Sequence, residues 1–226
     1  MPTTFNPIER RVLGVLIEKS MTQPEYYPMT LNAIVAGCNQ KSNRDPEMEL
    51  DEVSVGATLS DLRKRGLVEH IYPAPGARTD RFQHKIEAAF GWAARERAIM
   101  TELLLRGPQT VGELRTRCSR MAPFESIEIV SNVLDSLAQG ESPVVAAMPR
   151  EPGRSAIRYT HLLYPEDEAP ATTPTPPPAI TAAPVVRAAA PAVGSELQDL
   201  RQQVDALRSE VTDLRREFNE LRQQQG

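Results

Sequence analysis

Apolar residues recur at three- and four-residue spacing in two successive groups of short stretches, and this spacing places them on one face of an α-helix. The first group covers residues 12–17, 30–38 and 55–62, and the second covers residues 99–104, 110–118 and 130–137. Equivalent positions carry similar residues, since Val55 and Leu59 of the first group reappear as Val130 and Leu134 of the second. The pattern predicts two sets of three short amphipathic helices.

Each set is followed by a glycine, Gly66 or Gly140, which is a common helix stop. Two extended stretches joined at Pro-Gly come next, and this arrangement predicts a β-hairpin. The paired stretches are residues 67–73 with 78–85, and residues 144–148 with 156–163.

The returning strands of the two hairpins repeat one pattern, PGARTDRFQH in the first copy and PGRSAIRYTH in the second. Side chains alternate between the two faces of a strand, so Phe82 and Tyr159 are expected to face inward. Arg81, Arg158 and the polar residues that follow them are expected to face solvent.

Three helices followed by a hairpin is the element order of a winged helix, a variant of the helix-turn-helix. Its repetition indicates a duplicated domain. The sequence therefore predicts a mainly α fold with small β-hairpin wings, arranged as two tandem winged-helix domains plus a C-terminal coiled-coil helix. The predicted divisions are domain 1 at residues 1–90, domain 2 at 91–164, a linker at 165–194 and the coiled-coil helix at 195–226.

The linker is rich in Pro, Ala and Thr and lacks periodic apolar positions, so an extended, disordered chain is expected there. The helix after it has apolar residues at alternating three- and four-residue gaps, which is a heptad repeat. The predicted dimerisation residues are Leu197, Leu200, Val204, Leu207, Val211, Leu214, Phe218 and Leu221.

Leucine at every d position of these heptads, with valine at two a positions, favours a parallel two-stranded coiled coil. Every e position is arginine, so an antiparallel pair would bring arginines together, whereas a parallel pair sets Glu210 against Arg215 of the other chain. Phe218 is large for an a position, and for this reason a three-stranded coiled coil is the alternative to the two-stranded one. A lone helix that packs back on the winged helices is the other interpretation.

Composition sets further expectations. The chain has 226 residues, 40% of them hydrophobic, and a net charge of −4. No apolar run is long enough to cross a membrane and no signal peptide is recognisable, so a cytoplasmic protein without a membrane partner is expected.

Cys38 and Cys118 occupy equivalent places in the two copies and are expected to be small buried residues. No metal site, cofactor or catalytic motif is recognisable, so no enzyme is expected.

A winged helix suggests duplex DNA as a partner, with the third helix in the major groove and the wing at phosphates. Cationic and polar residues of domain 1 lie in the three places that would face the duplex: the loop after the second helix, the end of the third helix, and the wing. These candidate nucleic-acid-binding residues are Lys41, Asn43, Arg44, Arg63, Lys64, Arg65, Arg78 and Arg81.

Several features weigh against this hypothesis. Neither copy carries a marked excess of basic residues, and the third helix of the second copy has Glu128 and Asp135 but no Lys or Arg. Asp51 and Glu52 stand where base-reading side chains would lie. The basic residues at the end of the third helix also complement the helix dipole, and Asn43 can simply turn the chain.

Three stretches resemble the YceH-like family of bacterial proteins: CNQKSNRDP at 38–46, LLLRGPQTVGELRTR at 103–117 and REPGRSAIRYTHLL at 150–163. The resemblance covers about residues 5–164. Members of that family are tandem winged-helix proteins of unknown function, so the resemblance implies this fold and a bacterial cytoplasmic setting. It implies no catalytic or binding residue.

The leading functional hypothesis is a non-enzymatic binding protein, a nucleic-acid-binding or regulatory winged-helix protein that dimerises through its coiled coil. The alternative is a protein-interaction scaffold whose winged helices dock an unidentified protein partner without binding DNA.

Overall fold

A computed structural model describes residues 4–73, 79–139, 142–150 and 156–170. The predicted coiled coil, most of the predicted linker and Arg78 lie outside these residues. The described part is mainly helical with two small antiparallel sheets. Its helices are α1 (Pro7–Thr22), α2 (Leu31–Cys38), α3 (Glu52–Lys64), α4 (Ile86–Phe90), α5 (Ala94–Arg106), α6 (Val111–Cys118) and α7 (Ile127–Ala138). Its strands are β1 (Val68–Ile71), β2 (Arg81–His84), β3 (Gln109–Thr110), β4 (Val145–Ala147) and β5 (Arg158–His161).

Side-chain caps start the helices where the periodic stretches begin. Asn6 and Glu9 form a reciprocal capping box at α1, and Thr110 with Glu113 forms another at α6. Asp51 caps α3 by accepting a hydrogen bond from the Ser54 amide at 2.7 Å. Three predicted helices are thus followed by a predicted hairpin in each half of the described chain.

Both predicted hairpins are present, in antiparallel register. Val68 pairs with His84 in the first hairpin, and Val145 pairs with His161 in the second. The sequence did not indicate α4, or β3, which pairs with the free edge of β5 and makes the second sheet three-stranded.

The expectation of alternating faces was right for the first hairpin and wrong for the second. Phe82 packs against the core and Arg81 is exposed. In the second sheet Tyr159 packs against the core as expected, but Thr160 is fully buried and Arg158 is half-buried, donating to the Pro108 carbonyl. The physical reason is that Thr160 contacts Tyr164 in the chain after β5, while Arg158 reaches the segment just before the additional strand β3.

The buried apolar side chains of both halves form one continuous cluster. At its centre α1 packs directly on α5, and a Cβ built at Gly14 would lie 2.7 Å from Leu105 Cδ2. A Cβ at Gly37 would similarly lie 2.7 Å from Val15 Cγ1, where α2 meets α1. These two glycines let the helices approach closely, and residues 11–18 of α1 are consequently buried on all sides.

Candidate nucleic-acid interface

Arg44, the central cation of the predicted phosphate-binding loop, is buried and cannot reach DNA. Only 5% of the residue is exposed, and its guanidinium forms a two-pronged ion pair with Glu18 of α1 at 2.6 and 3.2 Å. It also donates to the carbonyl oxygens of Gly37 and Asn43 and to the Gln40 side chain. Its donors are used inside the protein, so the structure removes Arg44 from the candidate set.

The ion pair continues into the second half of the described chain. Arg120, just after α6, lies 2.6 Å from Glu18 Oε1 and 2.8 Å from Glu102 Oε1 of α5. Glu18 and Glu102 are each 1% exposed, so two buried carboxylates share one arginine. We call these four residues, Glu18, Arg44, Glu102 and Arg120, the junction ion network, because they connect the two halves.

The pKa values in this network reflect the pairing. Burial by itself raises the pKa of Glu18, but the hydrogen bond and charge of Arg44, with smaller effects of Arg120, outweigh it and hold that pKa below the ordinary value. The pKa of Arg120 is raised despite its burial, because both carboxylates bond to it. Glu18 and Arg120 are therefore both charged at neutral pH.

The rest of the loop is also anchored from within. The Asn39 side chain closes the loop by exchanging two 2.8 Å hydrogen bonds with the Leu50 backbone. Arg11, which is 2% exposed, donates to the carbonyls of Cys38 and Pro46, and the Asp45 amide donates to the Leu105 carbonyl at 2.9 Å. The loop that was expected to face a DNA duplex thus packs the two halves together.

Asn43 and Lys41 remain on the loop surface. Asn43 has a left-handed backbone with φ of 60°, and this supports its interpretation as a turn residue. The Lys41 side chain is exposed and makes no hydrogen bond or ion pair within the described residues.

Three of the other candidate cations have partners within the protein. Arg65 pairs with Glu9 at 2.8 Å and lies over the Phe5 ring. The Lys64 side chain pairs with Asp61 at 2.8 Å in an exposed bridge, and Arg81 donates to the Pro28 carbonyl at 2.7 Å. Exposed pairs of this kind exchange easily with solvent, so Lys64 and Arg81 stay accessible, whereas Arg65 holds the end of α3 to the N-terminal segment.

Arg63 is the candidate that the structure leaves most available. It is exposed, and its guanidinium has no acceptor in the part of the chain that the structure describes. It borders a shallow cleft of about 320 Å³ together with His70, Tyr72 and Lys85. Tyr72 is 71% exposed, so this cleft combines a cation with an accessible aromatic ring.

The exposed first turns of α3 and α7 carry apolar and acidic side chains rather than basic ones. Val53 is 80% exposed in the first turn of α3, beside Glu52, and Ile127 is 49% exposed in the first turn of α7, beside Glu128. Asp51 is engaged as a helix cap. The first turn of α3 and the first turn of α7 therefore each expose a β-branched aliphatic side chain next to a glutamate.

The two cysteines were expected to be small buried residues, and both are buried. Cys38 and Cys118 are buried at the ends of α2 and α6, and burial raises the pKa of the Cys38 thiol to about 12, so it is not a thiolate. Within the described ranges no group of three His, Cys, Asp or Glu residues has the arrangement of a metal site. No described helix has the length and apolar content needed to span a bilayer.

Sequence reasoning missed Arg11, Glu18, Glu102 and Arg120. The available signal was the apolar run VLGVLI, which is flanked directly by Arg11 and Glu18 without an intervening polar face. A helix that is apolar all round is buried all round, so charges at its ends require partners. The identity of those partners depended on the tertiary structure.

Comparison with known proteins places the chain in a family whose description states no function. The model of a protein family described as "Protein of unknown function, DUF480" matches residues 5–154. A UPF0502 protein of Koribacter versatilis is 50% identical over 170 residues, which cover 75% of this chain and 78% of that protein. UPF0502 proteins of Geobacter metallireducens and Geobacter sulfurreducens are 47% and 46% identical over 178 residues, covering 79% of this chain and 80% of each. The predicted resemblance to an uncharacterised bacterial family is therefore confirmed, under these names rather than as YceH-like, and the chain belongs to the DUF480 family.

Proposed function

We propose that the chain is a non-enzymatic binding protein, built as two winged helices in tandem, that docks a protein partner through the exposed starts of its third helices. There is one docking surface on each helix, formed by Glu52, Val53 and Ala57 on α3 and by Ile127 and Glu128 on α7. The observation that carries the proposal is an exposed aliphatic residue beside a glutamate in the first turn of both α3 and α7.

Charge and side-chain size support a protein rather than a phosphate backbone. The outward side of α3 continues from Val53 to exposed Ala57, and a Cβ built at Gly56 would meet nothing within 4 Å. Phosphates would be repelled by the carboxylates at both helix starts. An apolar side chain flanked by Lys or Arg on a partner segment matches an aliphatic residue beside a glutamate.

The test is affinity capture from nuclease-treated lysate of the native host with full-length protein. We expect a partner that the wild type retains and that the Val53→Lys/Ile127→Lys variant loses. A Tyr26→Lys variant is the matched control, because Tyr26 is 70% exposed and lies outside the docking surfaces. Equal retention of every partner by all three proteins would overturn the proposal.

Nucleic acid is the second candidate, favoured by the exposed Arg63 beside Tyr72 and by Lys41. Binding would be mostly to phosphates, so its affinity should fall steeply with salt. A Lys41→Ala/Arg63→Ala variant should flatten that salt slope, whereas Val53→Lys should not. Absence of binding to duplex DNA by the wild type at low salt excludes this candidate.

We also propose that the heptads in residues 195–226 form a parallel coiled-coil dimer, which the register of their apolar and charged positions supports. Dimerisation would present two copies of each docking surface and raise avidity for a partner that carries repeated segments.

A further inference from the structure

A cleft of about 380 Å³ lies at the junction of the two halves and has no role in the proposed docking function. It is formed by the first turns of α1, the loop before α3, the end of α5 and the chain just after β5. Its polar and aromatic lining includes Arg10, Arg11, Asp45, Arg106, His161 and Tyr164. We call it the junction cleft. Its volume lies at the lower end of the range in which protein clefts bind small ligands.

Cationic groups outnumber anionic groups in the junction cleft. Arg10, Arg11 and Arg106 line it, against the carboxylates of Asp45 and Glu168. Glu168 is already neutralised by Arg10 at 2.7 Å. The pKa of Arg106 is lowered, first by burial and then by the nearby charge of Arg117 and other arginines, which indicates a positive local field.

Hydrogen-bond donors in the cleft lack acceptors. The Nε–H of Arg11 has no partner among the described residues and is enclosed, since Arg11 is only 2% exposed. The Arg106 guanidinium makes no hydrogen bond or ion pair within the described residues. His161 is 1% exposed, and its Nδ1 accepts from the Leu163 amide at 3.2 Å. The proton of the neutral ring therefore lies on Nε2, for which the described residues provide no acceptor.

Apolar side chains form the remaining walls. Pro7, Pro46, Met48, Leu103 and Leu104 line the cleft opposite the donors, and Tyr164 stacks on His161 with ring centroids 3.9 Å apart. An inorganic anion would leave this apolar surface unfilled.

We propose that the junction cleft binds a small organic oxyanion, with its carboxylate or phosphate group at the Arg106 guanidinium and its apolar part against Leu104 and Met48. A guanidinium presents two parallel N–H groups that match either oxyanion, and that of Arg106 has no acceptor within the described residues that would compete with the ligand. The ligand touches both halves, so it would stabilise their packing by mass action.

The probes are phenyl phosphate and benzoate, compared with inorganic phosphate and with neutral benzyl alcohol at constant ionic strength. Backbone amide resonances of full-length protein report the site. Those of Met48 and Gly107, which line the cleft, should shift on titration, while that of Gly56 on α3 should not. We expect phenyl phosphate or benzoate to bind at least about tenfold more tightly than inorganic phosphate or benzyl alcohol.

The variant Arg106→Gln should weaken binding at least about tenfold, because a charged hydrogen bond is lost. Arg63→Gln is the matched control, since Arg63 is another arginine without a described partner and is remote from the cleft. Absence of shifts at Met48 and Gly107 with probe at about 10 mM, ten times a Kd of about 1 mM, would overturn the proposal. So would equal effects of all four solutes, or a loss caused by Arg63→Gln instead. If Arg106→Gln proves unstable, the wild-type titration with the four solutes alone tests whether the cleft binds an organic oxyanion. None of these outcomes depends on the docking surfaces.

Discussion

Removing the Arg44 side chain from the junction ion network should destabilise the fold strongly, whereas a phosphate-binding role would predict little change in stability. The side chains of Arg44 and Glu18 are 0% and 2% exposed, and two hydrogen bonds join them. Loss of one member of a buried ion pair costs about 3–5 kcal/mol, because the remaining charge stays buried. In Arg44→Met, Arg120 still contacts Glu18, so we expect a loss near the lower end, about 3 kcal/mol.

The assay is urea unfolding followed by the fluorescence of Trp92, which is the one tryptophan of the chain and is buried. With a denaturant slope of about 1–3 kcal/mol/M, such a loss lowers the unfolding midpoint by about 1 M or more. Lys41→Met is the matched control, because Lys41 is an exposed cation in the same loop, and its effect should stay within about 0.5 kcal/mol.

A double-mutant cycle with Glu18→Gln tests whether the two side chains act on each other. The double variant should lose less stability than the sum of the single variants, by about 0.5–3 kcal/mol. Equal midpoints for Arg44→Met and Lys41→Met, or additive effects of the two single changes, would refute the reasoning.

Three further predictions concern packing, pH and assembly. Gly14→Ala should destabilise the fold by about 1–3 kcal/mol in the same unfolding assay, since its Cβ would overlap Leu105, and unchanged stability would mean that α1 and α5 pack less closely. Burial, with a smaller effect of the charge of Arg10, lowers the pKa of His161 from its ordinary 6.5 to about 3. The unfolded chain therefore binds this proton more tightly than the folded chain does, and the free energy of unfolding should fall as the pH drops from about 6.5 to 3. His161→Gln should make that fall shallower, and an unchanged profile would contradict it. A chain ending at Tyr164 should sediment as a monomer and full-length protein as a dimer; identical masses would exclude the heptads as the association element.

The local elements of the described chain were largely predictable. Short-range rules place them: apolar spacing marks the helices, the Asn6 and Thr110 caps start two of them, and alternation pairs the strands of both hairpins. The two missed elements are short. Strand β3 has two residues and is defined only by its pairing with β5, which lies far along the chain.

The candidate site was predicted less well, and the loop residues show why. Arg44 and Lys41 lie three positions apart in one polar loop, and nothing in their local pattern distinguishes them. In the folded protein one is buried against Glu18 and the other is exposed. A polar loop is equally compatible with ligand binding and with internal ion pairing. Only the position of Glu18 in the folded protein distinguishes the two roles.

The sequence by itself determined the order of helices and hairpins and the predicted heptads, because these depend on interactions between residues a few positions apart. Only the tertiary structure decided that α1 is buried on both sides, that the loop after α2 connects the two halves, and that three arginines line a cleft at their junction. Those features depend on α1 meeting α5 at Gly14, a contact between segments about 90 residues apart in the chain. The geometry of such a contact, and therefore which charges become paired, is set by packing over the whole core rather than by local pattern.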